Sequence, residues 1–192
     1  MNIAKEVELE ITTSRPTNES LRDLFLKELA EMYDAEKNLA LALRVVEKAA
    51  RAPDLKKLVE VHLKETQGHA ETIKMVAESL GEELPKRTCK AMRKLIAETV
   101  TTLAKNAVSP IRDLALIAAA QKIEHYEIAA YGTLCAWAKE LGHTSELALL
   151  VSTLQQEKTA DELLTGVALA LGSLGELINK HVLEKTAADV PG

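Results

Sequence analysis

Residues 81–110 read GEELPKRTCKAMRKLIAETVTTLAKNAVSP, and this stretch decides the fold. It begins with Gly81, a residue suited to the left-handed position that closes a helix. Residues 82–87, with Pro85, make a loop. A helix is expected from about Thr88 to Asn106, roughly 28 Å long at 1.5 Å per residue. Ser109-Pro110 then opens the next helix, with Ser as N-cap and Pro in the first position. A connection of this length, with a helix inside it, can carry the chain from one end of a helical bundle back to the other.

Each side of the crossover reads as a helical hairpin. Helix A starts at the N-cap Ser20, keeps Leu21, Leu24, Phe25, Leu29, Met32, Leu39 and Leu43 at helical spacing, and ends near Arg51-Ala52. Pro53 occupies the first turn of helix B, whose stripe is Leu55, Leu58, Val59, Leu63, Ile73, Val76 and Leu80. Helix C runs to Leu141 and stops at Gly142. Helix D starts around Thr144-Ser145 and runs to about Leu171, with Gly172 and Gly175 expected to break it before a short helix over Glu176 to Lys185. The organisation expected is a polar arm over 1–19, a bundle over 20–172 and a C-terminal helix or tail over 173–192. Tight turns make A–B and C–D antiparallel neighbours, and a long B–C crossover is the connection of ferritin-like folds. The fold class is therefore all-α: a ferritin-like four-helix bundle whose B–C crossover carries an extra helix.

Composition agrees. Aromatic residues are 3% of the chain, with 8 Gly and 5 Pro, too few aromatics and turn residues for a β-sandwich, while 47% apolar content supports a sizeable core. The net charge of −5, with Lys56-Lys57 and Lys86-Arg87 short and isolated, argues against nucleic acid as a partner. No apolar run approaches a bilayer span, and residues 1–20 lack the apolar centre of a signal peptide, so no membrane role and a cytoplasmic location are expected. Cys89 and Cys135 are isolated and read as reduced, small hydrophobes.

Chemistry enters through charged residues in helix middles: Tyr33-Asp34-Ala35-Glu36, His62-x-x-Glu65-x-x-x-His69, Glu124-His125-Tyr126-Glu127 and Glu157-x-x-x-Asp161. About their turns, Glu36 and Glu65 fall at nearly one height, within roughly 3 Å, and Glu127 and Glu157 do the same. Glu36 and Glu127 stand 91 positions apart, and Glu65 and Glu157 stand 92 apart, so the arrangement is an internal repeat. If the crossover inverts the second hairpin, four Glu converge at the centre. His62, Glu124 and Asp161 then lie one turn to one side, with Tyr33 and His69 on the other. Buried carboxylates without compensation are costly, and a pair of divalent metals removes the conflict. Oxygen-rich sites with one or two imidazoles suit Fe or Mn. Di-metal bundles use Glu-x-x-His on two helices; this chain offers His-x-x-Glu on B and no histidine on D. Tyr33, His69 and His125 are candidates for supporting positions beside the ligands, His125 pointing away from Glu127.

The quoted motifs also resemble a family. Tyr33-Asp-Ala-Glu-Lys37, His62-x-x-Glu65-Thr66, Glu157-Lys158-x-x-Asp161, Cys89-x-Ala91-Met92 and above all Glu124-His-Tyr-Glu-Ile-Ala-Ala-Tyr-Gly-Thr-Leu134 are similar to the YciE/YciF family, bacterial ferritin-like proteins associated with stress responses. The resemblance spans about residues 20–170. It implies a ferritin-like bundle with a fifth helix, a homodimer, and a metal site at Glu36, His62, Glu65, Glu124, Glu127, Glu157 and Asp161; His69 is not part of the family motif. The functional expectation is a stress protein holding two Fe or Mn ions per chain, with ferroxidase or catalase-like chemistry as candidate reactions. The alternative is a metal-free helical dimer that acts as a structural or partner-binding stress protein.

Overall fold

The computed structural model describes residues 20–105 and 111–188 together with Ile3, with side chains described as far as Ser173. Among the described residues five long helices make up the fold: α1 (Leu21–Ala49), α2 (Pro53–Ser79), α3 (Lys90–Lys105), α4 (Arg112–Glu140) and α5 (Thr144–Ala188). The expected arm over 1–19 and the Ser109-Pro110 start of the fourth helix lie outside the described residues. That helix begins at Arg112, with Ile111 in the N-cap position.

Local chemistry sets the ends. Ser20 accepts from the Asp23 amide while the Asp23 carboxylate accepts from the Ser20 amide, a closed capping box. Pro53 opens α2. Gly81 and Gly142 take φ of 69° and 75°, where a side chain would be strained, and so close α2 and α4. The expected break in the last helix is absent: α5 continues through Gly172 and Gly175 to Ala188. A mid-helix glycine costs only about 1 kcal/mol relative to alanine, and the Leu- and Ala-rich flanks carry the helix across both.

α1 packs on α2 and α4, and α5 packs on α2 and α4, so the four form a square bundle; α3 lies over the edge between α1 and α4. Two contacts fix the directions. The Asp113 carboxylate, at the start of α4, accepts from the Arg51 and Ala52 amides in the α1–α2 turn, and Ser79 at the end of α2 donates to Glu146 at the start of α5, at 2.7 Å. The second hairpin is therefore inverted against the first, and all four neighbouring pairs are antiparallel. The crossover helix is tied to α1: the Asp34 carboxylate accepts from the Cys89 amide at 2.9 Å and from the Arg93 guanidinium at 3.0 Å. These contacts hold the Asp34 carboxyl below its ordinary range although its partial burial works the other way. Buried Phe25, Leu29, Met32, Leu39, Ile73, Leu116, Ile117, Leu134 and Leu150 fill the interior.

Asp113 is the anchor between the hairpins at this end. Asp113→Ala removes a charged acceptor from two backbone donors, so the protein should lose about 2 kcal/mol of stability, or roughly 4–8 °C of Tm. Calorimetry checks this; an unchanged Tm would show that the turn holds without it.

Candidate metal centre

Helix phase brings six ionisable side chains into the centre of this bundle. On α2 the buried positions Leu55, Val59, His62, Thr66, His69, Ile73 and Val76 follow three- and four-residue steps, so both imidazoles face inward, two turns apart. α1 contributes Glu36, α4 contributes Glu124 and Glu127, and α5 contributes Glu157. Glu36, Glu127 and Glu157 have no exposed surface. α3 supplies no ligand-type side chain to the centre.

The donors fall into two groups that share one residue. His62, Glu124, Glu127 and Glu157 each offer one ligand atom within 4.8 Å of the others; Glu36, His69 and Glu157 do the same. His62 Nε2 lies 3.2 Å from Glu124 Oε1 and 4.0 Å from Glu157 Oε2. His69 Nδ1 lies 2.8 Å from Glu157 Oε1 and 3.7 Å from Glu36 Oε1. These approaches are close, yet they lack hydrogen-bond alignment. Both ring nitrogens of His62, Nδ1 of His69, both oxygens of Glu127 and Glu157, and one oxygen each of Glu36 and Glu124 are buried without a hydrogen-bond partner. Buried polar atoms are almost always paired. Here a whole set of lone pairs converges unpaired on two small volumes.

Neighbouring residues aim these donors. His69 Nε2 meets Gln156 Oε1 at 2.9 Å, which fixes the ring and turns Nδ1 toward Glu157 and Glu36. Tyr131 donates its hydroxyl to Glu36 Oε1. Thr66 donates to the His62 carbonyl at 2.9 Å and keeps its own polarity within the helix.

Electrostatics shows how strained this set is on its own. Burial, with Glu157, Glu36 and Glu124 alongside, pushes the Glu127 carboxyl well above its ordinary value. Burial raises Glu36 and Glu157 as well, with His69 pulling each back. Burial opposes the imidazolium of His62, but Glu124, Glu65 and Glu157 outweigh it and hold that pKa well above normal. The same balance pushes His69 up to about 10, through Glu157 and Glu36. Four ionised carboxylates carry the charge that two divalent cations cancel, and the all-oxygen and imidazole donor set, with no thiolate in either group, suits Fe or Mn. The residues present fit such ions.

The sequence-derived candidates divide between the centre and the rim. Glu36, His62, Glu124, Glu127 and Glu157 come together at the centre. Glu65 has the expected height but sits 60° around α2 from His62 by the 100° step; its side chain is 31% exposed and stands 3.7 Å from His62 Nδ1 at the bundle rim. Asp161 lies outside both groups, accepting from Gln121 at 3.3 Å and facing exposed His125 at 3.6 Å. Tyr33 is also outside them, its ring beneath the Lys37 and Lys74 ammonium groups. His69, placed among the supporting residues by the sequence, is in a donor group. Tyr131 and Gln156 are residues of the centre that sequence reasoning misses. Tyr131 is one turn from Glu127 and so carries a signal; Gln156 becomes meaningful only once α2 and α5 are known to be neighbours.

A ferritin-like bundle with a buried, carboxylate-rich, imidazole-bearing centre is the class that the fold and this geometry define. The chain belongs to the family described as Domain of unknown function (DUF892), whose model matches residues 20–180. It is 40% identical to Protein YciF of Escherichia coli K12 over 151 residues, covering 78% of this chain and 91% of that protein. The crystal structure of the E. coli stress protein YciF superposes with a TM-score of 0.78 at 39% identity, covering 81% of this chain and 98% of that one. A Rhodopseudomonas palustris protein, YcfI, provisionally described as structural, matches with a TM-score of 0.74 at 38% identity, over 77% of this chain and 94% of that one. A Xanthomonas campestris protein shares the fold, with a TM-score of 0.65 at 21% identity over 84% of this chain and 99% of that one. Among the described residues no helix is long and apolar enough to cross a membrane.

Proposed function

We propose that this chain is a cytoplasmic, homodimeric stress protein that holds two Fe or Mn ions in its bundle core. His62, Glu124 and Glu127 would hold one ion and Glu36 and His69 the other, with Glu157 belonging to both donor groups. The observation that carries this reading is the convergence of buried, unpartnered carboxylate and imidazole atoms in two groups that share Glu157. A bound pair of such ions supplies electron-transfer chemistry toward dioxygen or peroxide.

The protein's own residues do the rest. Tyr131 holds Glu36 by its hydroxyl, and Gln156 sets the His69 ring. The apolar residues packed around the centre keep bulk water away. Proton affinity is raised at His62, His69, Glu127 and Glu36, so metal binding would compete with protons and tighten as pH rises.

Plasma mass spectrometry of protein purified from cells supplied with both metals tests the reading. About two Fe or Mn per chain is expected, matching the two donor groups of di-metal bundles. No metal after anaerobic Fe(II) loading overturns it and favours the second reading, a metal-free structural protein. The imidazole–carboxylate approaches and the description given to YcfI are the observations behind that alternative. Native mass spectrometry reads the homodimer; a single-chain mass overturns that part.

A further inference from the structure

One cavity reaches the centre from inside the fold. Leu39, Leu43, Val59, Leu116, Ile123 and Leu164 line it, and His62 and Glu124 close its inner end. All five helices contribute to its wall. Its free volume is about 30 Å³, enough for one diatomic molecule, since a single water requires about 10–15 Å³ on the same basis. Its lining is aliphatic apart from His62, Glu124 and Thr99, and the Thr99 hydroxyl already donates to the Leu95 carbonyl at 3.0 Å. A water there would find partners only at the His62–Glu124 end. Ordered waters need two to four polar partners, and apolar cavities without them stay dry.

Only one layer of side chains separates the cavity from the surface on its crossover-helix side. Ala42, Val46, Ile96 and Thr99 line it on one side and, on the other, an open groove between α1 and α3. Leu41, Val45 and Val100, all more than half exposed, form the floor and rim of that groove. The cavity therefore lies behind a wall of Ala42, Val46, Ile96 and Thr99, with the surface groove on the far side of it.

We propose that this cavity is a binding seat for dioxygen, a small apolar diatomic, beside the His62–Glu124 edge of the centre. Its polar groups lie at one end only, so it favours an apolar gas over hydrogen peroxide, most of whose hydrogen bonds to water would go unreplaced. Any use of the bound gas rests on the metal-centre reading, whereas its binding depends only on the cavity.

Xenon is the probe, because it is apolar, of suitable size and visible in a crystal. Crystals of the protein as purified, pressurised with xenon, should show a xenon atom against Leu43, Ile123 and Leu164. Ala120→Leu, one turn from Glu124 and on the cavity wall, should abolish that peak. No xenon in the wild type, or ordered water in its place, would overturn the proposal whether or not Ala120→Leu folds. Retention of xenon in a folded Ala120→Leu protein would overturn the assignment of the site to this cavity. Metal content, measured separately, tells a failed metal reading from a failed gas seat.

Discussion

Glu157→Ala should lose both metal ions, Glu36→Ala only one, and Glu65→Ala neither. The order comes from geometry. Glu157 belongs to both donor groups, with Oε1 on the His69 side and Oε2 on the His62 side. Glu36 belongs to one, and Glu65 stands at the rim in neither. Residues that merely support a ligand cost 10–100-fold in affinity when removed. A shared direct ligand should cost at least that, and metal content should drop tenfold or more in Glu157→Ala. Plasma mass spectrometry against amino-acid quantification gives the ratio. Wild-type metal content in Glu157→Ala would rule out a centre built on that residue, and equal losses in Glu65→Ala would shift the centre to the rim.

The metal-free protein should be stabilised by Glu127→Gln, while the loaded protein should be weakened by the same change. Glu127 is fully buried, with both oxygens unpartnered and three other carboxylates near it. Its folded pKa is raised, so the folded state binds a proton more tightly than the unfolded one. That contribution is most favourable below the unfolded value and is lost as pH rises toward the folded value. His62 and His69 act in the same direction, because their raised pKa values favour folding at low pH and that favour fades as pH climbs through the folded values, about 10 for His69. Stripped of metal, the protein should therefore become less stable from pH 5 toward pH 9. Replacing an uncompensated buried carboxyl with a neutral amide should recover about 2 kcal/mol at the alkaline end, or roughly 4–8 °C of Tm, and almost nothing near pH 4. Metal reverses the sign: at a free concentration 100 times Kd, binding adds about 2.7 kcal/mol to the wild type, which the amide forfeits. Thermal melts at several pH values, with and without Fe(II) or Mn(II), check both halves. A Glu127→Gln protein less stable than wild type in chelator at pH 8 would contradict this account.

Most of the fold is legible because its signals are local. Ser20, Pro53, Gly81 and Gly142 mark helix ends by backbone chemistry that tertiary context seldom overrides. The 81–110 stretch sets the topology through length alone. The bridge across Gly172 and Gly175 is not legible, since the cost of a helical glycine is small enough for its neighbours to decide. The centre is readable in height but less so in angle. Counting residues from a turn places Glu36, Glu127 and Glu157 on one level, and it places Glu65 there too. Whether a side chain at that level faces inward depends on the phase of the apolar stripe, and on α2 that phase runs through His62 and His69. Asp161 stands apart from the donor groups for a different reason: Gln121 and His125 on α4 give it partners toward the surface. Tyr131 and Gln156 act only through contacts between helices far apart in sequence, which one chain's pattern does not display.

The centre is divided unequally between the two hairpins. The first brings Glu36 and both imidazoles, and the second brings Glu124, Glu127 and Glu157. One hairpin thus offers two imidazoles and the other three acids, and His62–Glu124 and His69–Glu157 are the contacts between them. A slip of one helical turn between the hairpins would leave carboxylates facing aliphatic neighbours, a mismatch of several kcal/mol. Leu and Ala side chains alone would tolerate such a slip far more readily. The polar layer would therefore work as a lock and key within a single chain: it favours the correct alignment of two otherwise greasy halves, and it does so with the same residues proposed above to hold the metal.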